Sequence, residues 1–258
     1  MLAESLYAHR FHGAVLEVAS DRAIDTMVAS MKGSQPPPMR DELDYYSIHV
    51  VSTLAAFTTE VSRLEESLVL LSCYRQSMMA RRLGVTKSDH LESGIENIII
   101  RTQIIYERAL QLVDTVYELY NDPSLISHEL VIRNARLRST KTVSALKSLR
   151  KIVRAYAEPR NAIVHSGGWR DEGISSVQVA TTMLKTADAS RRQEKAFVNL
   201  RRARDKATAA LVRSWTKDVK AFVKRVVQAS RDLFESLEGP FKHRVARIRL
   251  ICVGKPQI

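Results

Sequence analysis

The sequence predicts an all-α fold, a bundle of five to seven mostly long helices. Two observations carry that expectation. Only nine Gly and seven Pro interrupt 258 residues, and three of the prolines stand together at Pro36, Pro37 and Pro38, so few positions break a helix. Apolar residues also recur at steps of three and four over long stretches, the spacing of one helix face. A chain of this length can bury its core as a single domain. The expected layout is an N-terminal helix over 4–32, a Pro-rich linker over 33–40, a helical core over about 42–240, and a basic tail over 241–258.

Each element has its own signal. Tyr7, Phe11, Val15, Val18, Ile24, Met27 or Val28, and Met31 mark an irregular inward face for a first helix from Glu4 to Met31. Val50, Leu54, Phe57, Val61, Leu64, Leu68 and Leu71 form a heptad-like seam for a second helix, from Asp41 to about Leu83. Ser88 or Asp89 can cap the third. Its inward face runs through Ile95, Ile98, Ile99, Thr102, Ile105, Tyr106, Ala109, Leu112, Val113, Val116, Tyr117 and Tyr120 to a stop at Asn121-Asp122-Pro123. Another helix begins near Ser139 or Thr140 with Val143, Leu146, Leu149, Ile152, Val153 and Tyr156 inward. Residues 173–188 are Ser/Thr-rich and read as a loop with one helix near 179–185. A last helix spans about 191–237 on Ala207, Leu211, Trp215, Phe222, Val226, Ala229, Leu233 and Leu237, and Gly239-Pro240 should end it. The tail over 244–253 reads equally as a strand, a dimer contact or a frayed end.

Composition narrows the function. Residues 1–130 hold 11 Lys and Arg against 18 Asp and Glu, a net −7; residues 131–258 hold 29 against 10, a net +19. So lopsided a field makes a polyanion such as RNA the expected partner of the second half. Cys73 and Cys252 share no metal-ligand spacing, which fits a reducing, cytoplasmic setting. The first residues carry Glu4, His9, Arg10, His12 and Glu17, unlike a signal peptide. The apolar runs are far shorter than the ~20 residues that span a bilayer, so no membrane role is expected. None of the seven histidines has a carboxylate three residues before it, which excludes the Glu-x-x-His pairs of di-iron bundles. Cys-x-x-Cys, His-Glu-x-x-His, Walker and Gly-x-Ser-x-Gly motifs are also missing. Neither a metal nor a cofactor is expected.

The chemistry concentrates in Glu158-Pro159-Arg160-Asn161-Ala162-Ile163-Val164-His165-Ser166-Gly167-Gly168. Pro159 is suited to the first turn of a helix, and Gly167-Gly168 to its end. Asn161 and His165 are four apart, so the amide can bond and orient the imidazole. Arg160 and His165 are five apart, about 140° around a helix; they cannot stack, but both can line one groove. His165 alone among the histidines has an arginine five to seven positions before it. The preceding helix adds Lys147, Arg150, Lys151 and Arg154, and the last one Arg201, Arg202 and Arg204, as candidate phosphate contacts. Trp169 reads as a packed indole or a cover for the site.

In these residues the segment resembles the Arg-polar-x(3–5)-His signature of the HEPN superfamily (higher eukaryote and prokaryote nucleotide-binding), most clearly over 88–185. The resemblance implies a HEPN-like helical core with N- and C-terminal helical extensions. It further implies a homodimer in which two such segments face one another as a composite, metal-independent endoribonuclease site. Arg160 would then bind the scissile phosphate, His165 act as general acid or base, and Asn161 orient it, leaving a 2′,3′-cyclic phosphate. Relatives of this type serve as toxins or antiviral defence effectors, some with an antitoxin or regulatory partner. The long acidic N-terminal half and the extra basic C-terminal helix depart from the compact family pattern. Two alternatives stand beside this reading: an inactive HEPN-like module that binds RNA or nucleotide or scaffolds a dimer, and a helical protein-interaction domain.

Overall fold

Helix-forming sequence with apolar stripes at helical spacing leaves each helix one face to bury, and the chain resolves this by packing helix on helix. The computed structural model describes residues 2–35, 38–39, 41–72, 82, 85–165, 171–188 and 191–253. Among these there is no strand, and nine α-helices follow in order: α1 (Glu4–Tyr7), α2 (Arg10–Met31), α3 (Glu42–Ser72), α4 (Lys87–Tyr117), α5 (His128–Arg133), α6 (Lys141–Val153), α7 (Ala157–His165), α8 (Glu172–Thr186) and α9 (Lys195–Val253). Short 3-10 turns at Arg154–Tyr156 and Arg191–Gln193 precede α7 and α9. The backbone divides into two compact units, one of residues 1–62, 104–153 and 224–258, the other of residues 63–103 and 154–223.

The first unit is built on an aromatic cluster. Phe11 of α2 lies 5.4 Å from Phe234 and 5.9 Å from Phe241 of α9, ring centre to ring centre. Phe57 of α3 meets Phe234 at 5.8 Å, and Tyr46 stacks on Phe241 at 5.8 Å. The Tyr46 hydroxyl donates to the Val116 carbonyl at 2.9 Å, and burial pushes its phenol well above the ordinary range. Arg136 closes the C-terminus of α4 by donating to the Tyr117 and Glu118 carbonyls at 3.0 and 2.7 Å. The chain then turns through positive φ at Glu118 and Tyr120. Tyr120, expected inward, is therefore past the end of its helix and 73% exposed.

The second unit packs the rest of the α3 seam against α4. Leu64, Leu68 and Leu71 are buried, as are Leu91, Ile95, Ile98 and Ile99. Thus all seven residues of the heptad-like seam are inside, as their spacing requires. Gly94 lets the backbone of α4 approach Leu71, since a Cβ there would lie 3.0 Å from the leucine methyl. The Ser/Thr-rich stretch is not a loop with a short helix but the full 15-residue α8. Asp171 caps it through the Ile174 N–H at 3.1 Å. The hydroxyls of Ser176, Thr181 and Thr186 bond carbonyls four residues back, at 2.8, 2.7 and 3.0 Å. Local back-bonding satisfies polar groups that sequence propensity counts against a helix, while Ile174, Val177, Thr181 and Leu184 supply a buried stripe.

Three further expectations are corrected. The N-terminal helix is broken at Ala8–His9, where His9 takes an extended conformation (ψ 139°) and its Nδ1 accepts the Phe11 N–H at 3.2 Å as an N-cap. Ile24, Val28 and Met31, expected inward, are exposed. Gly239-Pro240 does not end the last helix: α9 runs 59 residues with Pro240 inside it. A proline in a helix interior costs ~3 kcal/mol or more, but Phe241, Val245 and Ile248 beyond it are all buried. At ~1.5–3 kcal/mol for each large apolar side chain, their burial outweighs the break. The carbonyl that Pro240 cannot bond is that of Ser236, four residues back. The Thr142 hydroxyl, fully buried on α6, donates to it at 3.4 Å and lies 2.9 Å from the Tyr117 hydroxyl. The expectations for Pro36, Pro37, Cys73 and the region around Leu83 and Gly84 lie outside the described residues.

Two measurements test these contacts. Thr142→Val keeps the shape but removes the hydroxyl, so urea denaturation is expected to show a loss of about 1–3 kcal/mol. The His9 cap requires a neutral imidazole. Burial first, then the nearby Arg231, hold its pKa below the ordinary histidine value. The cap therefore contributes fully above about pH 6.5 and is lost as pH falls through the lowered folded-state value. Thermal denaturation is expected to show stability falling on acidification below that point, and a smaller fall in His9→Asn, whose amide caps at any pH.

Candidate functional site

The candidate motif occupies α7, a nine-residue helix none of whose side chains is fully buried. Its entry is fixed by Tyr156 in the preceding 3-10 turn. The Tyr156 ring meets Phe222 of α9 edge to face at 4.8 Å. Pro159 falls in the first turn of α7, where its missing N–H breaks no helical bond. Ala162 and Ile163 are half-buried, and Val164 is 47% exposed.

Arg160 is half-buried; Asn161 and His165 are exposed, with His165 in the last turn. The expected bond from Asn161 to His165 does not form among the described residues. Instead Arg160 Nη1 donates to Asn161 Oδ1 at 3.2 Å. A charged guanidinium N–H is a strong donor, and the long stem of Arg160 brings it to the amide oxygen of the adjacent residue. Asn161 therefore aims the arginine rather than the histidine. Among the described residues Arg160 has no carboxylate partner, which leaves the remaining N–H groups of its fork available to an anion. Gly167, Gly168 and Trp169 lie outside the described residues.

The candidate phosphate contacts fall in both units. On α6, Lys147 and Lys151 are exposed, but Arg150 is drawn into an ion pair with Glu129 of α5 at 3.1 Å. Such a pair could not be foreseen, because the partners are 21 positions apart on different helices. In the second unit Arg154, Arg201 and Arg202 are exposed. Arg204 is half-buried and its Nε and Nη2 both bond Asp205 Oδ1, at 3.1 and 2.7 Å. Arg150 and Arg204 are thus already engaged within the protein. Among the described residues no group of three or more His, Cys, Asp or Glu is arranged to hold a metal ion. Nor is any helix among them long and apolar enough to cross a membrane.

A family model described as HEPN_Cthe2314-like HEPN matches residues 54–237, most of the chain, with α7 inside the matched span. The chain belongs to the HEPN superfamily. No curated protein and no solved structure matches it. The HEPN match starts within α3 and ends within α9, so α1, α2 and the end of α9 lie outside it.

Proposed function

We propose that this HEPN protein is a metal-independent endoribonuclease in which Arg160 and His165 perform the chemistry. The observation that carries the reading is the state of α7: a helix with no buried side chain presents an exposed imidazole and a guanidinium without a carboxylate partner among the described residues. Arg160 binds the scissile phosphate and stabilises the extra charge of the transition state. His165 serves as general base toward the ribose 2′-hydroxyl or general acid toward the leaving 5′-oxygen. The RNA supplies its own nucleophile, which forms a 2′,3′-cyclic phosphate. Asn161 contributes by holding the guanidinium plane.

One arginine and one histidine about 140° apart on a helix make half a site. A homodimer that brings two α7 helices together completes it, and also covers Ala162, Ile163 and Val164. Arg154, Arg201 and Arg202, in the same unit as α7, are exposed cations that guide the RNA backbone; Lys147 and Lys151 are exposed in the other unit and add to its positive charge. A toxin or phage-defence role, held in check by an antitoxin or regulatory partner in the cytoplasm, is the biological setting that fits such an activity.

The decisive experiment is cleavage of a single-stranded RNA in the presence of EDTA. A positioned histidine contributes ~10²–10⁴-fold, so His165→Ala is expected to lose nearly all cleavage while still binding RNA. Arg160→Ala is expected to fall comparably, and Arg160→Lys to recover little, because lysine lacks the planar fork. Asn161→Ala is expected to be milder. Cleavage that persists without His165, or that disappears with EDTA and returns with Mg²⁺, would refute the mechanism. Binding without cleavage by an intact dimer would assign an inactive RNA-binding role instead. Sedimentation at micromolar protein is expected to give the dimer mass, and a monomer that still cleaves would remove the composite site.

A further inference from the structure

The first part of α9 is unlike every other long stretch of the described residues. From Lys195 to Asp218 no side chain is fully buried. Within the second unit, its half-buried residues Phe197, Leu200, Leu211 and Trp215, followed by the buried Val219 and Phe222, lie along one side. At about 100° per residue, Lys195, Arg202, Lys206, Arg213, Lys217 and Lys220 all fall within about 60° of arc on the opposite side. All six are exposed, and none forms an ion pair or side-chain hydrogen bond within the described structure. The helix's two acids in this stretch, Asp205 and Asp218, lie off that arc. The six cations therefore make a straight row about 38 Å long, at 1.5 Å per residue. Arg201 lies to its side, and Arg204, turned toward the packed face, is tied to Asp205.

We infer that this row is a docking ridge for the backbone of duplex RNA, and that the substrate is a structured RNA with a base-paired stem beside the unpaired stretch that is cut. The choice of RNA rests on the proposed ribonuclease reading; the choice of a duplex rests on the ridge. Three features favour a stem. A single-strand binder stacks bases on aromatic side chains, but the only aromatics from 195 to 218, Phe197 and Trp215, belong to the half-buried face. A bilayer surface would need large apolar side chains on the exposed face, and no exposed large hydrophobic residue lies in this stretch. A rigid, straight row of charge matches a stiff polyanion better than a flexible strand. Tyr156, which leads into the motif helix, packs on Phe222 on the side of α9 away from the ridge. The ridge therefore grips phosphates other than the scissile one.

The test uses the full-length His165→Ala protein, which should bind RNA without consuming it. Fluorescence anisotropy compares a blunt RNA duplex of about 20 base pairs with an unstructured single strand of the same length, across 50–200 mM salt. Six neutralised phosphates predict a slope of log affinity against log salt near −5 for the duplex. The duplex is expected to bind at least about tenfold tighter than the strand. Adding Arg202→Gln, Lys206→Gln and Arg213→Gln is expected to remove that preference and reduce the slope by about three, with circular dichroism confirming the helix content. Equal affinity for duplex and strand, or a slope untouched by the three substitutions, would overturn the ridge. The two readings fail separately. Equal affinity of the His165→Ala protein for duplex and strand, alongside His165-dependent, EDTA-resistant cleavage by the unsubstituted protein, sinks the ridge alone; ridge-dependent duplex binding without such cleavage sinks the nuclease alone.

Discussion

The apolar stripe of α9 is the constraint on which the rest of the first unit depends. Phe234, Leu237, Phe241, Val245 and Ile248 recur at steps of three and four and are all buried. Phe234 and Phe241 are touched by rings from α2 and α3. Because the cluster straddles Pro240, ending the helix there would strand Phe241 and everything after it. The packing free energy lies on the far side of the proline, and the backbone follows it.

Near the same cluster the polar groups are arranged to hold the helix ends. Arg244 of α9 bonds Glu42 at the start of α3, at 2.6 Å, and Glu118 just past the end of α4, at 3.0 Å. Lys242 pairs with Glu238 one turn earlier, at 2.7 Å. Arg10 reaches the same glutamate from α2. Pairs with one solvent-exposed partner, such as Lys242–Glu238, contribute little each, about 0–1 kcal/mol, whereas Arg244 and Glu118 are both largely shielded from solvent. Their value here is geometric, since they join the ends of helices whose middles are held by the rings.

How much of this was legible in the sequence depends on whether the controlling interaction is local. The α3 seam, the inward face of α4 up to Val116, and Phe222 through Leu237 of α9 could be read because periodicity reports burial directly. The break at His9 could not, since histidine is not among the favoured capping residues. Pro240 misled because propensity sees the proline but not the rings beyond it, and α8 misled because hydroxyl back-bonding is invisible to composition. In the candidate site, Arg160, Asn161 and His165 were found by spacing, whereas the pairing of Asn161 with arginine rather than histidine was settled by side-chain reach. Charge patterning shows Arg150 and Arg204 as cations but does not show that Glu129 and Asp205 engage them. The ridge was half visible: Arg202 was legible as a candidate phosphate contact, but only its angle around the helix separates it from Arg201 and Arg204.

The hydroxyl contact behind Pro240 has one more consequence. The Ser236 carbonyl can only accept, so the single hydroxyl proton of Thr142 is committed to it. The contact between Thr142 and Tyr117 then has only one possible sense, with the phenol giving its proton and the threonine oxygen receiving. Three groups from three helices thus form a one-way chain that starts at Tyr117 and ends on a backbone oxygen. The amide proton missing from α9 is in this way replaced by the hydroxyl proton of Thr142 on α6, whose oxygen in turn accepts from Tyr117 on α4. The carbonyl that the proline leaves free is bonded by a residue 94 positions earlier in the sequence.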